Sequence, residues 1–260
     1  QARGVQIIGP ASGSQACGDV GFGRLEEPGA IVAKMAAHFE QGVLQGKTVM
    51  ITAGPTQEAI DPVRYVSNRS SGKMGYALAD AALEAGARVI LVSGPTHLDA
   101  PARAQLIPIV SAGEMLEAVL SSLNEVDIFI AAAAVADYTF SEPAQQKRKK
   151  SADELNLTLT ATQDILKSVA GAENRPFCVG FAAETENLVE NARGKLQRKS
   201  LDMIAANDVS NQNIGFDSDN NEMTVLWGGG EKRLQLAPKR EIARQLVKLI
   251  ASRLGASLVG

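Results

Sequence analysis

A chain of 260 residues, 45% of them hydrophobic, is long enough for one large domain or a domain with an appendage, and it can bury a sizeable core. The formal net charge of -3, with Lys and Arg dispersed, leaves no electrostatic footprint for duplex nucleic acid. Cys17 and Cys178 lie far apart and suggest neither a disulfide scaffold nor a metal knuckle, and no apolar run reaches bilayer length, so a cytoplasmic protein without membrane partners is expected.

The first residues carry no basic-then-apolar signal pattern and read as the interior of a longer polypeptide. Residues 1–40 are rich in glycine, with one helical stretch over 27–39, and hold too little apolar surface for a core of their own. Residues 41–260 read as the main domain. Residues 49–52 form a buried strand, and 74–85 a helix with apolar positions at Met74, Leu78, Ala81, Ala82 and Ala85, stopped by Gly86. Strands follow over 88–92 and 106–110, Ser111-Ala-Gly-Glu114 is a capping box opening a helix, and 126–131 is a fourth strand. Residues 177–182 and 203–206 add two strands around a helix over 185–199. Residues 223–227 and 232–236 flank Gly228-Gly229-Gly230 as an antiparallel edge hairpin, and a last helix starts at Lys239. Contiguous β-branched runs separated by helices predict a Rossmann-like α/β fold, a mostly parallel sheet with helices on both faces.

In such a sheet ligands bind beyond the carboxyl ends of the strands. The first strand empties into Ala53-Gly54-Pro55-Thr56, and the chain then reaches Asn68-Arg-Ser-Ser-Gly-Lys-Met-Gly75 at a helix N-terminus, where Gly72, Gly75 and the serines would let backbone amides approach an anion. The plainer reading is a serine N-cap with packing glycines. Neither GxGxxG nor GxxxxGK[ST] is present. The fourth strand ends in small residues, Ala131 to Ala134, with Asp137 at the rim either as a turn cap or as a ligand contact. A basic run, Lys147-Arg-Lys-Lys150, follows as surface or as counter-charge to phosphates. Lys195 and Lys199 share one helix face, either to grip adjacent phosphates or to pair with neighbouring acids.

Five stretches together carry a resemblance: Ile51-Thr-Ala-Gly-Pro-Thr56, Asp61-Pro-Val-Arg-Tyr-Val-Ser-Asn-Arg-Ser-Ser-Gly-Lys-Met-Gly75, Ala132-Ala-Ala-Val-Ala-Asp137, Gly180-Phe-Ala-Ala-Glu-Thr185 and Ala206-Asn-Asp-Val209. The chain resembles the bacterial phosphopantothenate–cysteine ligases, the ligase half of a bifunctional decarboxylase/ligase of coenzyme A synthesis. The resemblance implies that cysteine is joined to 4'-phosphopantothenate with CTP and Mg2+ through an acyl-cytidylate, releasing pyrophosphate and CMP, in a homodimer. Gly54, Asn68, Ser70, Gly72, Gly75, Ala134 and Asn207 would then bind phosphopantothenate. Ala131, Ala132, Ala133, Asp137, Lys147, Gln163, Asp164, Ile165, Leu166, Phe181, Lys195 and Lys199 would meet the nucleotide, with Asn68 and Lys147 serving the chemistry; no metal ligands are assigned. Gln163 departs from the family, which usually has proline there. Residues 1–40 are similar to the end of the FMN-dependent decarboxylase half, whose catalytic cysteine would be Cys17; with the rest of that half missing, no decarboxylation is expected.

Two other classes compete on fold alone, an NAD(P)-dependent oxidoreductase and a passive nucleotide-binding module. Against the first stand the missing glycine fingerprint, Ser93-Gly-Pro95 where an acid should end the second strand, and the lack of a Tyr-x-x-x-Lys dyad. Against the second stands the number of cationic and amide groups placed after separate strands.

Overall fold

The computed structural model describes residues 7–14, 20–32, 35, 42–147, 149, 156–184, 186–208 and 218–257. In chain order its first elements are β1 (Ala11–Ser14), β2 (Val20–Arg24), β3 (Thr48–Ala53), β4 (Gln57–Ala59), β5 (Tyr65–Ser67), α1 (Lys73–Glu84), β6 (Arg88–Ser93), β7 (Gln105–Pro108) and α2 (Ala112–Ser121). Then come β8 (Ile128–Ala131), β9 (Tyr138–Phe140), β10 (Leu159–Ala161), α3 (Ile165–Ala170), β11 (Phe177–Glu184), α4 (Leu188–Arg198), β12 (Met203–Asp208), β13 (Asn220–Trp227), β14 (Gly230–Pro238) and α5 (Lys239–Ser257).

Eight strands make one sheet in the order β14-β13-β12-β11-β8-β3-β6-β7. The six from β12 to β7 are parallel, while β13 and β14 add antiparallel at the edge as the expected hairpin. The chain leaves β3 outward to β6 and β7 and then returns to β8 on the other side, so the strand order reverses between β3 and β8. That switch point is where an open α/β sheet leaves a crevice.

Both faces of the sheet are buried, which explains the continuous apolar strands. Alternate residues of β3 serve opposite faces. Val49 and Ile51 join Leu78 of α1 and Ile242 and Leu246 of α5 in one cluster, and Met50 joins Val119 of α2, Val169 of α3 and Leu196 of α4 in the other. Below the sheet Asp127 ties three strands together. Its carboxylate accepts from Lys47 Nζ at 2.9 Å and from the Thr48 amide at 2.8 Å, and its carbonyl accepts from the Phe177 amide at 2.9 Å. Burial pushes its carboxyl up, but the Thr48 and Lys47 bonds outweigh this and hold it below the ordinary carboxylate value.

Several boundaries differ from expectation. The strand expected over 126–131 begins at Ile128 because Leu123–Glu125 makes a 3-10 turn, and the one expected to reach residue 110 ends at Pro108, which has no amide to donate. Helix α4 starts at Leu188 rather than at 185, because Asn187 takes a left-handed φ of 49° that a helix cannot continue; Thr185 lies outside the described residues. Of the helix expected over 27–39, residues 28–32 and 35 are helical.

Three short hairpins are additions: β1 with β2, β4 with β5, and β9 with β10. None of them pairs with the main sheet among the described residues. The second and third are joined by Glu58, a buried carboxylate of β4 that accepts from Thr139 Oγ1 of β9 at 2.7 Å and from the Ala112 amide of α2 at 2.9 Å. No helix among the described residues is long and apolar enough to cross a membrane.

Candidate functional site

A cavity of about 170 Å³ opens above the switch point. Its wall on one side is the loop and first turn leading into α1, residues 70–75, and on the other it is Ala132, Ala133 and Ala134 after β8. Phe181, Ala182 and Ala183 of β11, Asn207 of β12, Asn221 of β13 and Lys239 of α5 complete it.

The N-cap of α1 is Gly72 in the left-handed conformation, φ 79°, which has no side chain of its own to cap the helix. The simple serine-cap reading is therefore wrong, because the Ser70 hydroxyl accepts the Gly72 amide at 3.3 Å inside the loop and does not reach the first-turn amides. A Cβ on Gly75 would lie 2.5 Å from the Ala53 Cβ, so glycine is what lets the start of α1 sit directly on the end of β3. Gly54, just beyond β3, lies beneath Gly72: a Cβ there would stand 3.4 Å from the Gly54 Cα. The result is a helix N-terminus with amides and positive dipole end turned to the cavity, an arrangement suited to an anion.

The opposite wall is held by backbone pairing. The Ala134 amide donates to the Gly54 carbonyl at 2.9 Å, and the Ala134 carbonyl accepts from both the Thr56 amide at 3.3 Å and the Asn68 side-chain amide at 2.9 Å. Asn68 is thus fixed at the cavity rim from the α1 side to the β8 side.

A second cluster lies beside the first. The Thr162 hydroxyl donates to the Ala136 carbonyl at 2.6 Å and the Thr162 amide to the Asp137 carbonyl at 3.0 Å, which ties the loop after β8 to the turn 163–166. Asp164 caps α3 by accepting the Lys167 amide at 3.0 Å, and Lys199 pairs with the same carboxylate at 2.7 Å. Lys195 pairs with Glu184 at 2.7 Å. Burial pushes the Asp164 carboxyl up, but the bonds from Lys199 and the Lys167 amide outweigh it and hold the group below its ordinary value. Lys195 stands on α4 and Lys199 is the residue that caps its C-terminus, each with a carboxylate as partner. Leu166 reaches Gly180 on β11, where an added Cβ would meet its side chain at 3.0 Å, so the turn and Phe181 belong to one neighbourhood.

The residues expected from sequence divide accordingly. Ser70, Gly72, Gly75, Ala132, Ala133, Ala134, Phe181 and Asn207 line the cavity, with Gly54 and Asn68 bonded to its walls. Gln163, Asp164, Ile165, Leu166, Lys195 and Lys199 form the flanking cluster, although Ile165 is buried in the core and only its backbone can face a ligand. Ala131 is the last residue of β8, and Asp137 and Lys147 are exposed outside the cavity lining. Cys17, Arg148 and Lys150 lie outside the described residues. Asn221 and Lys239 were not anticipated, since they come from an antiparallel strand and the last helix. Lys239 had one visible signal, its place directly after a strand. Cys178 is buried, and burial pushes its thiol up to about 11, which removes it as a thiolate nucleophile.

Comparison with known proteins identifies the family and agrees with the fold. Residues 44–254 match the model of the DNA/pantothenate metabolism flavoprotein C-terminal domain. The coenzyme A biosynthesis bifunctional protein CoaBC of Vibrio vulnificus (strain CMCP6) is 50% identical over 256 residues, 97% of this chain and 64% of that protein, so the chain spans less than two thirds of that relative. The crystal structure of the C-terminal domain of a CoaBC protein superposes with a TM-score of 0.71 at 42% identity, covering 83% of this chain and 99% of that one. A Cab2 mutant in complex with phosphopantothenate-cysteine shares the fold at 18% identity, with a TM-score of 0.65 over 90% of this chain and 97% of that one. With most of its length matched by the family model and half its residues identical to a CoaBC protein, the chain belongs to the family of the DNA/pantothenate metabolism flavoprotein C-terminal domain.

Proposed function

We propose that this chain is the ligase part of a bifunctional coenzyme A biosynthesis protein and joins cysteine to 4'-phosphopantothenate at the expense of CTP. The observation that supports this reading is the glycine-capped N-terminus of α1, with no acid in its first turn, facing the small-residue wall after β8 across one cavity. Phosphopantothenate lies in the cavity with its phosphate toward residues 70–75 and its carboxylate toward Asn68. The nucleotide lies across residues 131–137, the turn 163–166 and Phe181, with Lys195 and Lys199 turning from Glu184 and Asp164 to its phosphates.

The carboxylate then attacks the α-phosphate, pyrophosphate leaves, and the cysteine amine displaces CMP from the acyl-cytidylate. Two anions must meet before the first bond forms, and cationic side chains lower that repulsion and stabilise the charge that develops. Among the described residues no group of three His, Cys, Asp or Glu side chains is placed to hold a metal; Mg2+ bound to the triphosphate would neutralise part of its charge. FMN belongs to the decarboxylase part; residues 1–40, including Cys17, are the end of that part, and residues 41–260 are the ligase domain. A cytoplasmic homodimer completes the reading.

The test is to incubate the protein with phosphopantothenate, Mg2+ and each nucleoside triphosphate, with and without cysteine, and to measure pyrophosphate. Release with CTP in a first turnover without cysteine is expected; dependence on cysteine would rule out the acyl-cytidylate route. In rapid quench with labelled CTP, Lys147→Gln should lose about 10²–10³ in pyrophosphate release. Asn68→Asp should retain activation and accumulate the intermediate. Equal accumulation in both variants would sink these two roles.

A further inference from the structure

Strand β6 ends in Ser93, 3% exposed, at the position where dinucleotide enzymes of this fold carry an acid. Its hydroxyl donates to the Gly94 carbonyl at 2.8 Å, which uses its only proton. The buried Tyr76 phenol of α1, 3.1 Å away, is therefore the donor to Ser93. Thr96 in turn donates to the Tyr76 oxygen at 3.1 Å and accepts the Leu98 amide at 3.4 Å. Each hydroxyl donates once and accepts once, so the chain runs in one direction, from Leu98 to Gly94, and holds the Thr96 side chain in one rotamer.

What that rotamer presents is a methyl group. A Cβ on Gly72 would stand 2.7 Å from the Thr96 Cγ2, and one on Gly54 2.9 Å, so the methyl is seated against both glycines. Both have a left-handed φ, 79° and 72°. The loop that carries Thr96 lies directly on the loop after β3, where a Cβ on Gly94 would fall 1.8 Å from the Pro55 carbonyl oxygen.

The two glycines belong to opposite walls of the cavity. Gly72 caps α1, and its carbonyl accepts the Tyr76 amide at 3.1 Å; the Gly54 carbonyl holds the Ala134 amide at 2.9 Å. One methyl thus stands behind both walls, at the glycine that opens the helix and at the glycine that carries the small residues after β8. Thr96 itself is not part of the cavity lining.

We propose that Thr96 is a positioning residue for the phosphate monoester of the substrate: its methyl, aimed by the hydroxyl chain through Tyr76 and Ser93, wedges behind Gly72 and Gly54 and sets where the first-turn amides of α1 meet the anion. This rests on the ligase reading above. The phosphate takes no part in the bond changes at the carboxylate, so its grip is the same in the ground state and the transition state. Loosening that grip is read in KM for phosphopantothenate and not in kcat.

The experiment is pyrophosphate release with CTP and Mg2+ for the wild type, Thr96→Ser, Tyr76→Phe and the double variant of Tyr76→Phe with Thr96→Val. Thr96→Ser keeps the hydroxyl and removes the methyl, and should raise KM for phosphopantothenate roughly 10-fold while KM for CTP and kcat stay in place. Tyr76→Phe takes away the acceptor of the Thr96 hydroxyl, which turns to find another and withdraws the methyl; the same KM should rise about 3- to 10-fold. Adding Thr96→Val removes the orphaned hydroxyl and returns an apolar branch to the glycines, so the double variant should recover most of that loss. An unchanged KM in Thr96→Ser, an equal rise in both KM values, or a double variant worse than Tyr76→Phe overturns the assignment. A wild type that releases no pyrophosphate overturns the ligase reading and the phosphate's part in this one. Amide hydrogen exchange then judges the wedge separately: exchange at Gly72 and Tyr76 should be faster in Thr96→Ser and unchanged at Glu114 of α2, and equal rates in variant and wild type would refute it.

Discussion

The N-termini of α1 and α2 both lie beyond the carboxyl ends of parallel strands, α1 returning to the end of β3 after the β4–β5 hairpin and α2 following β7, and they are finished in opposite ways. At α2 the Ser111 hydroxyl accepts the Glu114 amide at 3.2 Å, Glu58 accepts the Ala112 amide at 2.9 Å, and Glu114 accepts the Val110 amide at 2.7 Å. Three side chains, two of them acidic, seal that end. At α1 the cap is a glycine, the first turn holds no acid, and the residues around it are small or basic. One end is closed by acidic and hydroxyl side chains; the other is held by glycine packing on β3, as the proposed anion site there requires.

The sharpest way to break this contrast is to place the same charge at both ends. Ser70→Asp puts a carboxylate in the open end, where it competes with the substrate phosphate, and should cut pyrophosphate release by about 10²–10³, roughly 3–4 kcal/mol. Ser111→Asp exchanges one good cap for another and should leave both rate and melting temperature nearly unchanged. Similar losses for the two would erase the distinction.

Next in size, Glu58→Ala orphans two donors, the Ala112 amide and the Thr139 hydroxyl, and should cost about 2–4 kcal/mol in urea unfolding. Its effect is on stability, and the rate of protein that remains folded should change little. Ser111→Ala should cost about 1 kcal/mol by the same measurement.

The smallest effect lies at the flank. The Asp164 carboxyl is held below its ordinary 3.8, so its pairing with Lys199 contributes stability above that value and loses it as pH falls through the lower folded value. Asp164→Asn should flatten the acid side of the stability curve below about pH 4 and change stability at pH 7 by less than about 1 kcal/mol. An unchanged acid limb would mean that the pair is too solvated to matter.

Much of the fold was legible because long buried elements declare themselves. Residues 49–51, 89–92 and 177–182 are unbroken runs without a charged or strongly polar residue because both faces of the sheet are covered, and the 3.6-residue spacing around Leu78 marked α1. The short hairpins were not legible. Tyr65, Val66, Tyr138 and Leu159 are exposed, and strands of three residues are too short to show an alternation. In the site, local signals found residues 70–75 and 132–134, where glycine and alanine are needed for close approach. Asn221 and Lys239 were missed because only tertiary placement brings them to the cavity: one comes from the antiparallel edge strand β13, and the packing of α5 beside α1 brings the other.

Asp127 sets the height at which these pieces meet. One residue fastens the lower ends of β3, β8 and β11, and the loops that build the cavity leave the upper ends of those same strands. Each strand then works as a ruler read from a common zero: four residues of β8 lift Ala132 to face Ala53 and Gly54, and a slip of one residue would move the wall by roughly 3.3 Å and turn its side chains to the other face. The tolerance of the cavity is thus fixed at the opposite ends of the strands, by a carboxylate that is not part of its lining.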